Sequence, residues 1–224
     1  MSKYSIIIPV HNEKGCIPRL LKSLEYYSHN GHEIIIIDDG SHDGSTELLE
    51  ECNFINLIRF SINQGKGSAL RAGLLRARNV KIIIFDSDLE LEPSEIVKLM
   101  ILDKKNNIYS AFGYRFKSLN PFKSSFDWGN FMFTSFFNII FNSNHKDILC
   151  CAKSFYFDKK GITMLNSNKF EIDIELSSML TMRDMKIRQI LLKYNRRTKE
   201  EGKKLKINDG WKILGKMISM IKFY

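Results

Sequence analysis

Five short runs of branched apolar residues, the first four each followed by a polar turn and a helical segment, occupy the first 113 residues: Tyr4–Pro9 (YSIIIP), Glu33–Asp38 (EIIIID), Ile55–Phe60, Lys81–Asp86 (KIIIFD) and Ile108–Gly113. Runs of this length, rich in β-branched side chains and bounded by Gly, Asp and Asn, read as strands. They are apolar throughout rather than alternating, so both faces of their sheet are covered. The intervening segments Lys14–Tyr27, Ser45–Glu51, Gly67–Arg78 and Pro93–Leu102 have helical character, the first with Ile17, Leu20, Leu21 and Leu24 at helical spacing, the last with Pro93 at an allowed first-turn position. Strand and helix in strict succession predict an α/β fold: a mostly parallel sheet, helices on both faces, right-handed crossovers.

After Tyr114 the rhythm changes. Asp127–Asn142 reads as an aromatic helix, Ile148–Phe157 holds a strand, Ile172–Met182 is helical, Lys186–Tyr194 alternates like a strand, and Arg196–Lys206 is a basic loop. A last helix, Asn208–Lys222, sets Lys212, Gly215, Lys216, Ser219 and Lys222 on one face and Trp211, Leu214, Ile218 and Ile221 opposite. No repeat or linker divides the 224 residues, so the expectation is one domain over 1–194 with a C-terminal extension, 195–224, made of the basic loop and the amphipathic helix.

With 44% hydrophobic and 26% charged residues the chain is neither disordered nor a disulfide-stapled miniature. It has no apolar run long enough to predict a spanning helix, and MSKYSIIIPV does not read as a signal peptide. Cys16, Cys52, Cys150 and Cys151 lack metal-ligand spacing, which points to free thiols in a cytoplasmic setting. The net charge of +9 is local: Arg183–Tyr224 holds 13 Lys and Arg against 4 Asp and Glu, while Met1–Met182 holds 21 of each. A neutral body with a basic tail suits an anionic partner, whether phosphates, nucleic acid or an acidic membrane face; the ordinary alternative is a solvated lysine surface. Ten of the 16 Phe fall between Phe116 and Phe157, either as a greasy surface or as the core of a second layer.

Ligands of open α/β sheets sit beyond the carboxyl ends of the strands. Three such ends are polar here: Pro9-Val10-His11-Asn12-Glu13, Asp38-Asp39-Gly40-Ser41 and Asp86-Ser87-Asp88-Leu89-Glu90. Each alone is ordinary turn chemistry; all three on one edge form a candidate site. Asp86 and Asp88, with Glu90 continuing the alternation, supply hard oxygen ligands suited to Mg²⁺ or Mn²⁺, with substrate phosphate and water filling the remaining positions. Asn63-Gln64-Gly65-Lys66-Gly67-Ser68 lacks P-loop spacing, yet Gly65 and Gly67 before a helix start allow close approach to a phosphate or ribose.

Four segments, IIIPVHNE (6–13), IIIIDDGSHDGS (34–45), NQGKGSALRAGL (63–74) and FDSDLELEP (85–93), resemble family 2 glycosyltransferases, whose nucleotide-sugar-binding fold is the Rossmann-like GT-A fold. AFGYRF (111–116), KDILCCAKSF (146–155), FEIDIELSSML (170–180) and YNRRTKEEGKKLKINDGWKIL (194–214) resemble one branch, the synthases of polyprenyl- and dolichyl-phosphate sugars. The resemblance implies that Pro9, His11, Glu13, Ile37, Asp39, Lys66, Asp86 and Ser87 bind the nucleotide sugar, that Asp86, Asp88 and Glu90 form the metal motif, and that Asp88, Arg115 and Arg197 carry catalysis. Lys203 or Lys204, and less directly Lys123 and Lys153, would hold donor or acceptor phosphates. His11 stands where that branch usually has Tyr, and Glu90 where it often has Gln.

The implied reaction is an inverting transfer from a donor of the GDP-mannose or UDP-glucose type to a polyprenyl or dolichyl phosphate. Phe126–Phe141 and the last helix are the segments that would make peripheral contact with an anionic membrane, at its cytoplasmic face. If the acceptor were a saccharide hydroxyl instead, a carboxylate base would be needed, at Asp88 or within Glu171–Glu175, although those acids read first as favourable helix-start charges. A nucleic-acid-binding module fits the tail but not the acidic sheet edge, so no nucleic-acid partner is expected.

Overall fold

The computed structural model describes residues 3–117, 122, 124–184, 186–197 and 207–220. Its seven strands are β1 (Ser5–Val10), β2 (Glu33–Asp38), β3 (Asn56–Arg59), β4 (Lys81–Ile84), β5 (Ser110–Tyr114), β6 (Lys153–Tyr156) and β7 (Arg188–Leu191). They form one sheet in the order β3-β2-β1-β4-β6-β5-β7. Every neighbouring pair is parallel except those made by β6, which runs antiparallel to both β4 and β5. The chain steps outward from β1 to β3 and then returns to the other side of β1 with β4. That reversal opens a crevice beyond the carboxyl ends of β1 and β4.

The helices are α1 (Ile17–His29), α2 (Ser45–Glu50), α3 (Lys66–Arg76), α4 (Ser125–Ile140), α5 (Ile172–Arg183) and α6 (Ile207–Met220). Side chains alternate across the strands into two apolar layers. Ile6, Ile8 and Val10 of β1 join Leu20 and Leu24 of α1 and Leu49 of α2. Ile7 joins Leu70 and Leu74 of α3, Phe137 of α4, Leu176 of α5 and Met217 of α6. Burying one branched aliphatic side chain is worth about 1.5–3 kcal/mol, so two filled layers hold the sheet edge rigidly in place. Gly73 lets α3 lie flat on the sheet: a Cβ there would come within 2.5 Å of Ile7 Cγ2 and 2.8 Å of Ile37 Cδ1.

Three expectations need correction. Pro93–Leu102 is not an α-helix but a 3-10 segment, Pro93–Leu99. The Tyr27 hydroxyl donates to the Pro93 carbonyl at 2.9 Å, and the Glu95 carboxylate accepts from Lys193 N–H at 2.9 Å, so tertiary bonds compete with the helical ladder. The aromatic segment is divided rather than wholly core or wholly surface. Phe137 and Phe141 are buried, while Trp128, Phe131, Met132 and Ile139 form an outward stripe on α4, with Trp128 52% and Ile139 78% exposed. Finally, α6 packs through Ile213, Met217 and Met220 into the same apolar layer as α3 and α5, and Ile218 faces solvent. The packed face is thus turned by about one residue from the expected one; it uses Ile213, Met217 and Met220, which are themselves apolar, and it brings Lys216 to the buried Glu175 carboxylate. No helix among the described residues is long and apolar enough to cross a membrane.

Candidate active site

The crevice beyond β1 and β4 receives acidic residues from both strand ends. Two residues that bound it adopt left-handed backbone, Asn12 (φ 52°) and Leu89 (φ 58°). The second is a branched residue in a region that costs it about 1 kcal/mol, and it supplies the bend that follows the Asp86-Ser87-Asp88 triplet. A cleft of about 510 Å³ lies here, bordered by Glu13, Cys16, Asp88, Leu89, Arg196 and Arg197 among others.

Two cations grip carboxylates at and beside this edge of the sheet. Lys66 Nζ stands 2.9 Å from Asp86 Oδ1 and 3.0 Å from Asp173 Oδ2. Burial works against the charge of this ammonium, but Asp173 and Asp86 outweigh it and hold the pKa well above the usual lysine range. Burial likewise opposes ionisation of Asp86, and Lys66 reverses the balance and keeps its carboxyl below the ordinary value. Arg197 makes a forked contact with Glu13, Nη1 to Oε1 at 3.2 Å and Nη2 to Oε2 at 2.8 Å, and donates to Cys16 Sγ. Asp88 has no such partner. Burial first, then the Asp86 and Glu90 charges, push it up to about 7.

Glu90 is committed elsewhere. Its carboxylate accepts the Arg197 backbone N–H at 3.0 Å and the Tyr194 hydroxyl at 3.2 Å, pinning residues 194–197 across the crevice. Among the described residues no group of three or more His, Cys, Asp and Glu side chains is arranged to hold a metal ion. The donor chemistry of Asp86 and Asp88 nonetheless fits a hard divalent cation completed by phosphate and water. The raised pKa of Asp88 marks negative charge that such an ion would relieve.

The other expected residues are placed as follows. Asp39 accepts the N–H groups of Gln64 (2.6 Å) and Gly65 (2.9 Å); burial lifts its carboxyl above the usual range in spite of them. His11 lies beside Asn12 and, ring to ring at 6.1 Å, beside His42. Ser87 donates to the Pro9 carbonyl at 2.9 Å, tying the two strand ends together. Arg115 is held by Asp147, Nε to Oδ2 at 2.7 Å and Nη2 to Oδ1 at 2.9 Å, below an Asn130 amide that also donates to Asp147. Lys123, Lys203 and Lys204 lie outside the described residues.

Several expectations give way to packing. Ile37 is fully buried under α3 and presents no side-chain surface to a nucleotide. Lys153 is also 0% exposed; its ammonium donates to the Cys150 carbonyl and lies 5.2 Å from the centre of the Phe112 ring, so it does not meet a phosphate. The space left by Gly65 and Gly67 is filled by the backbone of Ser167 and Asn168, and the Asn168 carbonyl accepts the N–H of Gly67 at 2.8 Å and of Ser68 at 3.3 Å. The start of α3 is therefore closed by protein rather than open to a ligand. Among the described residues of the basic tail, Arg183, Arg196, Arg197 and Lys216 pair with Asp184, Asp127, Glu13 and Glu175 respectively.

Asp173 and Glu175, within the acids that would supply a base for a hydroxyl acceptor and that read first as helix-start charges, are both engaged: Asp173 shares Lys66 with Asp86. Glu175, 1% exposed, accepts the N–H groups of Asn166 and Ser167. Neither is a free carboxylate base. Asp147 and Tyr194 lie in segments that carry the resemblance, KDILCCAKSF and YNRRTKEEG, but the sequence assigns them no role; their partners, Arg115 and Asn130 for Asp147 and Glu90 for Tyr194, are brought to them by the fold.

The family model described as glycosyl transferase family 2 matches residues 5–165. The chain is 30% identical to a dolichyl-phosphate beta-glucosyltransferase of Trichomonas vaginalis, over 98% of this chain and 73% of that protein. It is 38% identical over 105 residues to an undecaprenyl-phosphate 4-deoxy-4-formamido-L-arabinose transferase of Aeromonas hydrophila, 43% of this chain and 32% of that one. The match thus spans about a third of the length of the undecaprenyl-phosphate relative. Among solved structures, glucosyl-3-phosphoglycerate synthase of Mycobacterium tuberculosis superposes with a TM-score of 0.76 at 15% identity, covering 99% of this chain and 80% of the other. The same enzyme in complex with Mn²⁺, UDP and glucosyl-3-phosphoglycerate gives 0.74 at 14% identity, over 99% and 80% of the two chains. At such identities the likeness speaks for the fold alone.

Proposed function

The chain belongs to glycosyl transferase family 2, and we propose that it transfers a sugar, with inversion, from a nucleotide-sugar donor of the GDP-mannose or UDP-glucose type to a polyprenyl or dolichyl phosphate. One observation carries the reading. Asp86 and Asp88 leave β4 at the switch point of the sheet, and Asp88 shares its cleft with Glu13 and Arg197. The lipid-phosphate transferases among the relatives support the acceptor class.

In the proposed reaction an acceptor phosphate oxygen attacks the anomeric carbon. The bond from that carbon to the donor diphosphate breaks with its electron pair, and a nucleoside diphosphate leaves. The acceptor phosphate, with a second pKa near 6, is already ionised at neutral pH, so no general base has to remove a proton. This agrees with the commitment of Asp173 to Lys66 and of Glu175 to backbone N–H groups. Asp86 and Asp88 would hold Mg²⁺ or Mn²⁺, whose chemistry is neutralisation of charge on a leaving diphosphate. Arg197, paired with Glu13, and Lys66, paired with Asp86, are the cations we assign to that charge. Arg115, fixed by Asp147, offers a guanidinium to an acceptor phosphate.

The outward stripe of α4 is the surface through which we place peripheral attachment to an anionic, cytoplasmic membrane face. Asp127, in the first turn of α4, pairs with Arg196 beside the cleft, so that helix and the transfer site are mechanically joined. The test is a thermal-shift titration with UDP-glucose and GDP-mannose, each with Mn²⁺ or Mg²⁺, followed by assay of label transfer to a prenyl phosphate and to soluble saccharides. Stabilisation by one donor and transfer to the lipid phosphate are expected. A folded, cation-loaded sample that binds neither donor refutes the activity. Transfer only to saccharides refutes the acceptor.

A further inference from the structure

A second cleft, of about 1100 Å³, opens at the amino ends of the strands, the edge opposite the transfer site. Its walls come from the loops that lead into β4, β5 and β7, with Arg78, Lys104, Tyr109, Arg183 and Lys186, and from the segment that leaves the antiparallel β6, with Lys159. Nothing in a transfer reaction at the carboxyl edge requires a cavity here.

Its charge is one-sided. Arg78, Lys104, Lys159, Arg183 and Lys186 face it against two acids, Asp158 and Asp184. Asp184 is spent on Arg183 at 3.1 Å and on the Ser110 hydroxyl. Arg78 gives only its Nε to Glu33, at 2.7 Å, while its side chain is 75% exposed and neither Nη has a partner among the described residues. Lys104, Lys159 and Lys186 are exposed and have no carboxylate partner among the described residues. Lone surface lysines are common, but Arg78, Lys104 and Lys159 come from the stretch up to Met182 that is neutral overall, and with Arg183 and Lys186 they meet around one concavity, where low-dielectric walls concentrate their field.

The cleft also carries aromatic surface. Tyr109 is 38% exposed with its ring 6.2 Å from that of Tyr156. Lys104 Nζ lies 4.8 Å from the Tyr156 ring centre, which fixes that ammonium at the rim. The cations are carried on separate loops around the cleft, a layout that suits several linked phosphates better than a single one.

We infer that this amino-edge cleft binds a compound with two or more linked phosphate groups, gripped by Arg78, Lys104 and Lys186, with Tyr109 available to a planar group attached to them. The site is separate from the donor crevice and stands whether or not the transferase reading does.

Calorimetric titration with inorganic tripolyphosphate and, in a second arm, ATP tests it, both without divalent cations. One tripolyphosphate per chain is expected. Affinity should fall at least about tenfold in Lys104→Ala/Lys186→Ala and be retained in Lys104→Arg/Lys186→Arg, with Arg197→Ala at the opposite edge leaving it unchanged. Tighter binding of ATP that is lost in Tyr109→Ala assigns the ligand to the nucleotides; equal binding of the two assigns it to the phosphate chain alone. Absence of stoichiometric binding, equal affinity in the double alanine variant, or loss of binding in Arg197→Ala overturns the site. Circular dichroism of each variant separates these outcomes from unfolding.

Discussion

Replacing Asp147 by asparagine isolates the ion pair that fixes Arg115. Asp147 is 1% exposed and accepts from Arg115 Nε, Nη2 and backbone N, at 2.7, 2.9 and 3.1 Å. Arg115 is itself only 19% exposed. Removing one partner of a buried pair leaves the other charge uncompensated, at a cost of about 3–5 kcal/mol. Asparagine keeps an oxygen for the Asn130 amide, so the lower end, about 3 kcal/mol, is expected for Asp147→Asn. With a urea m-value of roughly 2–3 kcal/mol/M, the unfolding midpoint falls by about 1 M or slightly more. Removing both charges, in Asp147→Leu/Arg115→Met, costs clearly less than the sum of the single changes, because neither charge is then stranded. Burial opposes ionisation of Asp147, but Arg115 prevails and depresses its carboxyl pKa. A depressed acid stabilises the fold above its unfolded pKa, about 4, and loses that contribution as pH falls through the folded value. The gap between wild type and Asp147→Asn should therefore be constant from pH 5 to 7 and close only below about pH 4. A cost under about 1 kcal/mol at pH 7, or strict additivity in the cycle, refutes the buried-clamp argument.

Asp88→Ala relieves crowding with Asp86 and Glu90, so its melting temperature at pH 7 should be unchanged or raised while cation-dependent sugar transfer is lost; differential scanning fluorimetry and a transfer assay check both halves. Lys66→Met strands Asp86 and Asp173 and should destabilise by about 3 kcal/mol or more in chemical denaturation, with part of that recovered on adding Asp173→Asn. Gly67→Ala drives a methyl into the Ser167 carbonyl and should cost about 1–3 kcal/mol, seen as a fall in melting temperature. Trp128→Glu/Phe131→Glu, on the exposed stripe of α4, should leave stability intact and abolish flotation with anionic liposomes; flotation equal to wild type would dismiss that surface as the attachment site.

The sheet was legible in the sequence because isoleucine filled both faces of β1 and β2, and only a covered parallel sheet tolerates that. The acidic edge was legible for the same reason: an abrupt change from apolar run to carboxylates has to fall where a strand leaves the core. The same double burial hid the placement of individual side chains. Ile37 and Lys153 both sit on strands whose two faces are covered, so alternation could not separate a pocket-facing position from a core one. Nor could spacing reveal which cation neutralises which acid. Lys66 reaches Asp86 across 20 residues and Asp173 across 107, and Arg197 reaches Glu13 across 184. These pairings are set by strand order and by the return of residues 194–197 over the crevice, neither of which leaves a periodic trace. A further consequence follows for the chemistry. An edge with carboxylates from β1, β2 and β4 would repel an anionic donor, yet Lys66 and Arg197 already stand among those carboxylates. A ligand bringing its own cation and phosphates can therefore exchange partners with them rather than having to overcome bare repulsion.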